Sequence, residues 1–169
     1  RLLGNLIAAL GEELAAGTPC RENPEGWYLK TEEGKWAERP GILRLAHGGW
    51  LVGAANLGDS EQLACLVCGT KQLEVWVGAH ETAILPVCLP LSTWGLPGAC
   101  ILCSSLELLT VERISEQGEI RLTVYGNGTG IWIGEREKEW LIRPGESRRL
   151  ELEGGILLVE AIFLEEAVR

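Results

Sequence analysis

The sequence predicts an all-β protein: a jelly-roll-like antiparallel β-sandwich or barrel preceded by one short helix. Short apolar or alternating runs recur at roughly 8–12-residue spacing, as in β-sandwiches and barrels. Turn residues such as "HGG", "GDSE", "GTK", "GNGTG" and "PGES" separate most of these runs. The pattern lacks the strand–helix–strand alternation of parallel α/β folds.

The first element is a predicted helix over residues 1–16 that ends at Gly17. Its leucines recur at spacings of three and four, which places them on one helical stripe. The stripe either covers one end of the domain or contacts a partner. Residues 1–17 are therefore an N-terminal helical segment, and residues 18–169 are a single β-sandwich domain. The leucines are Leu2, Leu3, Leu6, Leu10 and Leu14.

Residues 18–40 have a loop-like composition with three prolines. Within them, "TEEGK" has the composition of a hairpin turn between the runs "WYLK" and "KWAE". A β-hairpin is therefore expected at this position.

The segment that follows "LTVY" is predicted to form a β-meander. "GNGTG" is a turn, "IWIG" a strand, "EREKE" a charged hairpin tip, "EWLIR" the returning strand and "PGES" a second turn. In the next strand, alternation places Leu150 and Leu152 on one face and Arg149, Glu151 and Glu153 on the other. The glycines of this segment are expected to serve corners rather than to bind phosphate.

The text "LTVYGNGTGIWIGEREKEWLIRPGESRRLELEGGILLVEAI" resembles a pattern common in phage structural proteins, N-G-T…V-x-I-G…L-x-P-G-E-S. Within that group the chain resembles the smaller single jelly-roll major capsid protein of tailless icosahedral phages of thermophiles, which enclose an internal membrane. The resemblance covers residues 120–162. It implies a non-enzymatic capsid subunit located in the virion. Such a subunit assembles with itself and with a second capsid protein, near the internal membrane but not inserted in it.

Composition limits the function classes further. The chain carries 24 acidic and 15 basic residues, a formal net charge of −9, which opposes direct binding to nucleic acid. No apolar run reaches the roughly 18–20 residues of a membrane-spanning helix. Asn and Gln are scarce while Glu and Arg are abundant, which favours a thermophilic source, although a GC-rich genome gives part of the same bias.

The cysteines are the clearest candidates for a chemical site. Two C-x-x-C pairs, Cys65 with Cys68 and Cys100 with Cys103, have the spacing of a four-thiolate zinc site. Against zinc, the residues between them are apolar and strand-like, and residues three apart on a strand face opposite sides. Disulfides and buried free thiols are the other interpretations.

No catalytic set is recognisable, so the sequence predicts neither an enzyme nor a cofactor. His47 and His80 are too few for a three-histidine metal site and are expected at turns beside strands. The single aspartate, Asp59, lies in the "GDSE" turn, an ordinary position for Asp. A jelly-roll enzyme is therefore only a third hypothesis.

Tryptophan is the main aromatic residue, with seven copies against one Phe and two Tyr. Large aromatic side chains dominate both protein cores and interfaces, and the sequence favours that role here. The alternative function is a carbohydrate-binding β-sandwich that stacks sugars on exposed Trp residues.

The sequence also predicts a homodimer or higher oligomer. The runs "LEVWVG" and "GILLVEAIFL" are long and apolar enough to favour pairing with another chain if they form free sheet edges. Cys20, in the early loop, is the candidate for an intermolecular disulfide. The predicted interface residues are Leu3, Leu6, Leu10 and Cys20.

Overall fold

The computed structural model describes residues 17–20, 24–115 and 118–163, which form three β-sheets. These residues contain fourteen strands, a 3-10 turn at Ser92–Trp94 and no α-helix, which confirms the all-β class. The predicted helix over residues 1–16 lies outside the described residues. The strands are β1 (Thr18–Pro19), β2 (Trp27–Thr31), β3 (Gly41–Arg44), β4 (Trp50–Ala55), β5 (Gln62–Cys68), β6 (Lys71–Val77), β7 (Thr82–Pro90), β8 (Ala99–Ser104), β9 (Glu107–Arg113), β10 (Glu119–Tyr125), β11 (Ile131–Glu135), β12 (Lys138–Ile142), β13 (Ser147–Leu152) and β14 (Gly155–Ile162).

The central sheet has seven antiparallel strands in the order β1-β3-β4-β7-β8-β11-β12. Three antiparallel pairs of consecutive strands, β3–β4, β7–β8 and β11–β12, form most of it. Between them the chain leaves the sheet twice. Strands β5 and β6 join β2 in a three-stranded sheet, whereas β9 and β10 join β13 and β14 in a four-stranded sheet.

Both faces of the central sheet are covered, so the described residues form three β-layers with two cores. The large core lies between the central and four-stranded sheets and includes the fully buried Ile101, Leu122 and Leu157. The small core lies between the central and three-stranded sheets and includes Leu66 and Leu85. Central strands carry apolar residues on both faces, and burying both requires a layer on each side.

Strand β7 changes the core into which its side chains point. Val87 belongs to the small core, but Leu89, two residues later, belongs to the large core. The residue between them, Cys88, has a φ of +49°, which interrupts the regular alternation of the strand. On β8, Ile101 and Cys103 divide between the cores in the same way, beside a register shift against β11.

The four-stranded sheet has the order β13-β14-β10-β9 and contains one parallel pair. Strand β14 runs parallel to β10, with Glu119–Tyr125 aligned on Ile156–Ile162, whereas its other neighbour, β13, is antiparallel. This pair departs from the purely antiparallel prediction. The strand order does not confirm a jelly roll either, because a jelly roll is built from eight strands in two sheets.

The predicted strands are present as β11, β12 and β13, with Leu150 and Leu152 buried and their neighbours exposed. They do not form a meander, because β11 and β12 pair in the central sheet whereas β13 pairs with β14 in the four-stranded sheet. The charged tip is only partly exposed to solvent. Glu135 is 8% exposed and accepts a hydrogen bond from the backbone N–H of Glu153 at 3.0 Å. That carboxylate is therefore a structural link between two turns.

The prediction of a hairpin around "TEEGK" is wrong, because the segments on either side of this turn do not pair with each other. Strand β2 pairs with β5, and the chain then crosses to the central sheet, where Trp36 forms a bridge with Asn56. The indole N–H of Trp36 donates to the carbonyl of Glu32 at 3.0 Å, which holds the intervening turn in place.

Candidate functional site

The most distinctive surface of the described residues is the solvent-facing side of the three-stranded sheet, here called the outer face. Alternation points the intervening residues of these strands into the small core, so the outer face is a separate set. Its two aromatic residues, Tyr28 and Trp76, are 54% and 46% exposed. The outer face consists of Tyr28, Lys30, Leu63, Cys65, Val67, Gln72, Glu74 and Trp76.

Cross-strand register orders these residues in rows. Tyr28, Val67 and Gln72 form one row, and Lys30, Cys65 and Glu74 form the next. Trp76 lies opposite Leu63 at the far end of the sheet. The exposed aromatics therefore occupy diagonal corners. The apolar strip between them consists of the partly exposed Leu63 and Cys65 and the buried Val67, and the two charges lie on either side of Cys65.

The other tryptophans pack inside the protein, as the sequence favoured. Trp27 is 4% exposed and its ring centroid lies 5.9 Å from that of Trp50. The remaining four are partly buried against one of the two cores. Of the seven tryptophans, only Trp76 exposes a large part of its side chain, so a surface platform of several Trp residues is not formed. The four partly buried residues are Trp36, Trp94, Trp132 and Trp140.

The four cysteines of the C-x-x-C pairs do not surround one point. Cys65 lies on the outer face and Cys68 points into the small core, as expected for residues three apart on a strand. Among the described residues no group of three or more His, Cys, Asp or Glu side chains is placed to hold a metal ion. The geometry thus departs from the four-thiolate zinc arrangement.

One contact between cysteines was not foreseen. The thiol of Cys103, on β8, hydrogen-bonds to the sulfur of Cys68, on β5, across the small core. Cys103 is fully buried and Cys68 is half-buried. Sequence spacing could not indicate this pair, because the two residues belong to different sheets.

Cys20 is the one predicted interface residue within the described part of the chain. It is half-buried directly after β1, at the edge of the central sheet, and its N–H donates to the carbonyl of Ile42 at 2.8 Å. Leu3, Leu6 and Leu10 lie outside the described residues.

The two strands that the sequence suggested could pair with another chain, β14 and β6, are both covered within the protein. Strand β14 is paired on both sides. Strand β6 is an edge, but Thr129 of the "GNGTG" turn covers its middle. The N–H of Glu74 donates to the Thr129 hydroxyl at 2.9 Å, and the Thr129 N–H donates to the Glu74 carbonyl at 2.9 Å.

A partly buried carboxyl group was also missed. Glu107, at the start of β9, accepts a hydrogen bond from the N–H of Ile84 at 2.6 Å and another from the hydroxyl of Tyr125. Burial raises the pKa of Glu107 to about 7, and nearby Glu81 adds to the rise, while the two hydrogen bonds oppose it. Glu107 therefore changes its charge near neutral pH.

The histidines lie at turns beside strands, as predicted. His80 has a φ of +58°, and its Nε2 lies 2.8 Å from the Oδ1 of Asp59. Both side chains of this pair are largely exposed to solvent.

Within residues 17–20, 24–115 and 118–163, no helix has the length and apolar character needed to cross a membrane. No protein-family model matches the sequence, and no curated protein is significantly similar to it.

Proposed function

We propose that this chain is a non-enzymatic structural protein that assembles with copies of itself through the outer face. The observation that carries the proposal is the composition of this face. It combines two exposed aromatic residues, an apolar strip and one charge of each sign. The face is thus formally neutral on a chain whose net charge is −9. Aromatic residues are enriched at protein interfaces, and charged residues are depleted at their centres.

The row of Lys30, Cys65 and Glu74 makes the face complementary to itself. Strands are spaced about 4.8 Å apart, so the two charges flank β5 at equal distances. If two copies pack face to face around a two-fold axis along β5, Lys30 of each lies against Glu74 of the other. Symmetric dimers use such isologous contacts, in which the same patch serves both copies.

The size of the face sets the expected affinity. Three strands of five to seven residues span at most roughly 14 by 23 Å. The resulting area of about 320 Å² is below the ~800 Å² per partner of a standard interface. We therefore expect this face alone to give a concentration-dependent dimer with a dissociation constant in the micromolar range. The predicted helix with Leu3, Leu6 and Leu10 is the proposed source of additional contact area.

Charge reversal tests the arrangement. Lys30→Glu and Glu74→Lys each place like charges together twice in the dimer, so each should weaken association at least about tenfold. The double variant restores opposite charges and should recover the dimer. Analytical ultracentrifugation over a concentration series at low salt measures the dissociation constants.

The matched control is Lys138→Glu, which makes the same charge change at the start of β12, in the central sheet and outside the outer face. It should leave association unchanged. A monomer at all concentrations would refute the proposed self-assembly. Single reversals that behave like the control, or a double variant that fails to recover, would reject the outer face as the contact.

Cys65 provides a second test because it lies on the proposed axis. Mild oxidation of the dimer should link the two copies through Cys65, and Cys65→Ser should abolish the covalent dimer seen in non-reducing gels. Cys20→Ser distinguishes this contact from the intermolecular disulfide predicted from the sequence. Loss of the covalent dimer only in Cys20→Ser would move the interface to the edge of the central sheet.

The setting proposed for this assembly is a virus capsid, in which the chain contacts a second capsid protein near an internal membrane. The resemblance of residues 120–162 supports it, and the succession of strands and turns in that segment is compatible with it. The three-layer arrangement, however, differs from the two-sheet jelly roll that the resemblance implies. Electron microscopy at high protein concentration tests the setting, with closed shells or regular lattices as the supporting result and only dimers as the contrary one.

The second candidate function is carbohydrate binding, and the exposure of Trp76 and Tyr28 on one sheet face favours it. The two rings, however, lie at opposite corners of the face with aliphatic side chains between them. A glycan array separates the two functions. Saturable sugar binding that is lost in Trp76→Ala, in a protein that stays monomeric, would support carbohydrate binding and contradict self-assembly.

A further inference from the structure

Cys68 and Cys103 approach each other because the β5–β6 hairpin meets the neighbouring strands β8 and β11 of the central sheet across the small core. On β5, Cys68 lies directly opposite Lys71 of β6. On β8, Cys103 lies directly opposite Trp132 of β11. Each pair therefore shares one face of its own sheet, and the two pairs face each other.

A second contact fixes the same approach independently of the sulfur atoms. The ammonium group of Lys71 lies 5.0 Å from the centre of the Trp132 ring, a cation–π distance. It also forms an ion pair with Glu139 of β12 at 2.7 Å. The end of the three-stranded sheet is thus held against the central sheet at the position of the two cysteines.

The surroundings make the two thiols chemically unequal. The hydrogen bond from Cys103 lowers the pKa of Cys68, and the charge of Lys71 lowers it further, against the opposing effect of burial. The same hydrogen bond and burial raise the pKa of Cys103. Cys68, which is also the more exposed of the two, therefore supplies the thiolate, and Cys103 keeps its proton.

We propose that Cys68 and Cys103 form a redox-active pair, which a low-molecular-weight disulfide such as glutathione disulfide oxidises to a disulfide that joins the three-stranded sheet to the central sheet. The Cys68 thiolate attacks one sulfur of glutathione disulfide, forming a mixed disulfide and releasing one glutathione thiolate. Cys103 then attacks the Cys68 sulfur, and its proton passes to the second glutathione sulfur, which leaves as a thiol. The two protein thiols are oxidised, and one glutathione disulfide is reduced to two thiols.

The other cysteines of the C-x-x-C pairs and Cys88 serve as internal controls. Cys65 lies on the opposite face of β5, where burial and the charge of Glu74 raise the pKa of its thiol. Burial likewise raises the pKa of Cys88, and it raises that of Cys100 to about 11. These thiols should react more slowly than Cys68.

The experiment treats the reduced full chain with glutathione disulfide and maps the products by mass spectrometry. Cys65→Ser is the background, because the tryptic peptide of residues 45–71 then carries Cys68 as its only cysteine. We expect this peptide to be cross-linked to that of residues 72–113, with the loss of two free thiols per chain. Cys88→Ser, in the same background, should retain the cross-link.

Cys103→Ser gives the most specific readout. Without the resolving thiol, Cys68 should accumulate a stable glutathione adduct and form no cross-link. Circular dichroism establishes that each variant is folded. A cross-link that persists in Cys103→Ser, one that disappears in Cys88→Ser, or its absence from the Cys65→Ser background would each overturn the proposal. None of these outcomes depends on self-association, because Cys65 is absent throughout.

Discussion

At the residue scale, several buried polar groups hold loops together, and Asn56 is the clearest example. Its side chain is 1% exposed and donates to the carbonyls of Ser60, Val77 and Gly78 at 2.8–3.0 Å. Its Oδ1 accepts from the N–H of Gly58 at 2.9 Å. In the sequence, "NLGD" has only the appearance of a turn. The partners of Asn56 across the β6–β7 connection depend on the three-dimensional arrangement, which is why sequence patterns did not reveal this role.

Glu107 leads to a prediction about pH. Its pKa is about 7 in the folded protein and near 4.5 when unfolded, so the folded state binds the proton more tightly. The stabilisation from this proton is fully present below pH 4.5 and is lost as the pH rises through 7. Glu107→Gln removes this loss. Relative to the parent protein, the variant should become more stable between pH 4.5 and 8 by at most about 3 kcal/mol.

Urea unfolding at a series of pH values measures this difference. Glu112→Gln is the control, because Glu112 is an exposed carboxylate on the same strand. Its stability should follow that of the parent protein across the range. If the free energy of unfolding of Glu107→Gln changed with pH in parallel with that of the parent protein, the proposed pKa shift of Glu107 would be contradicted.

At the scale of the elements, the turn "GNGTG" has two roles. Gly130 has a φ of +154°, and a side chain there would meet the carbonyl oxygen of Ile142 at 2.5 Å, so the corner requires glycine. Thr129, the residue before this corner, hydrogen-bonds to Glu74 at the edge of β6. The corner role was predicted from composition, but the protection of an edge strand was not, because the two segments are distant in the sequence.

Thr129→Val tests the protection of the edge. The variant keeps the shape of the side chain but cannot accept the hydrogen bond from the Glu74 N–H. We expect the free energy of unfolding to fall by about 1 kcal/mol and aggregation on heating to increase. Thr31→Val, at an exposed position of β2, is the control and should change neither. Equal behaviour of the two variants in urea unfolding and light scattering would contradict the role of Thr129.

The sequence predicted the individual strands better than it predicted which strands pair with each other. Alternation in "RRLELE" correctly placed Leu150 and Leu152 inside, because period-two patterning specifies the face of a strand. It does not specify the partner strand. The parallel β10–β14 pair and the crossing of the chain at Trp36 depend on long-range packing, which local turn signals do not report. The outer face was missed for the same reason, since its residues come from three separate strands.

At the scale of the whole molecule, the central sheet belongs to both cores and should couple their unfolding. Leu66 in the small core and Leu122 in the large core are both fully buried. Leu66→Ala and Leu122→Ala should each reduce the free energy of unfolding by about 2–5 kcal/mol. Because the layers share one sheet, each variant should still unfold in a single transition.

Fluorescence and circular dichroism recorded along the same urea titration provide the measurement, because coincident curves indicate one transition. Two separated transitions in Leu66→Ala would show that the three-stranded sheet unfolds on its own.

The thermophilic source inferred from composition stays a prediction. Calorimetry of the parent protein tests it, because a protein from a thermophile should have a high melting temperature.

The central position of β14 has a consequence for the order of folding. This strand is the last of the described residues, yet it lies between β13 and β10. During synthesis, β9 and β10 are complete well before their sheet is, and β10 presents an open edge until residues 155–162 leave the ribosome. Long-range pairings of this kind slow folding and expose chains to association. We therefore expect the nascent chain to depend on chaperones most strongly in the interval between the synthesis of β10 and that of β14.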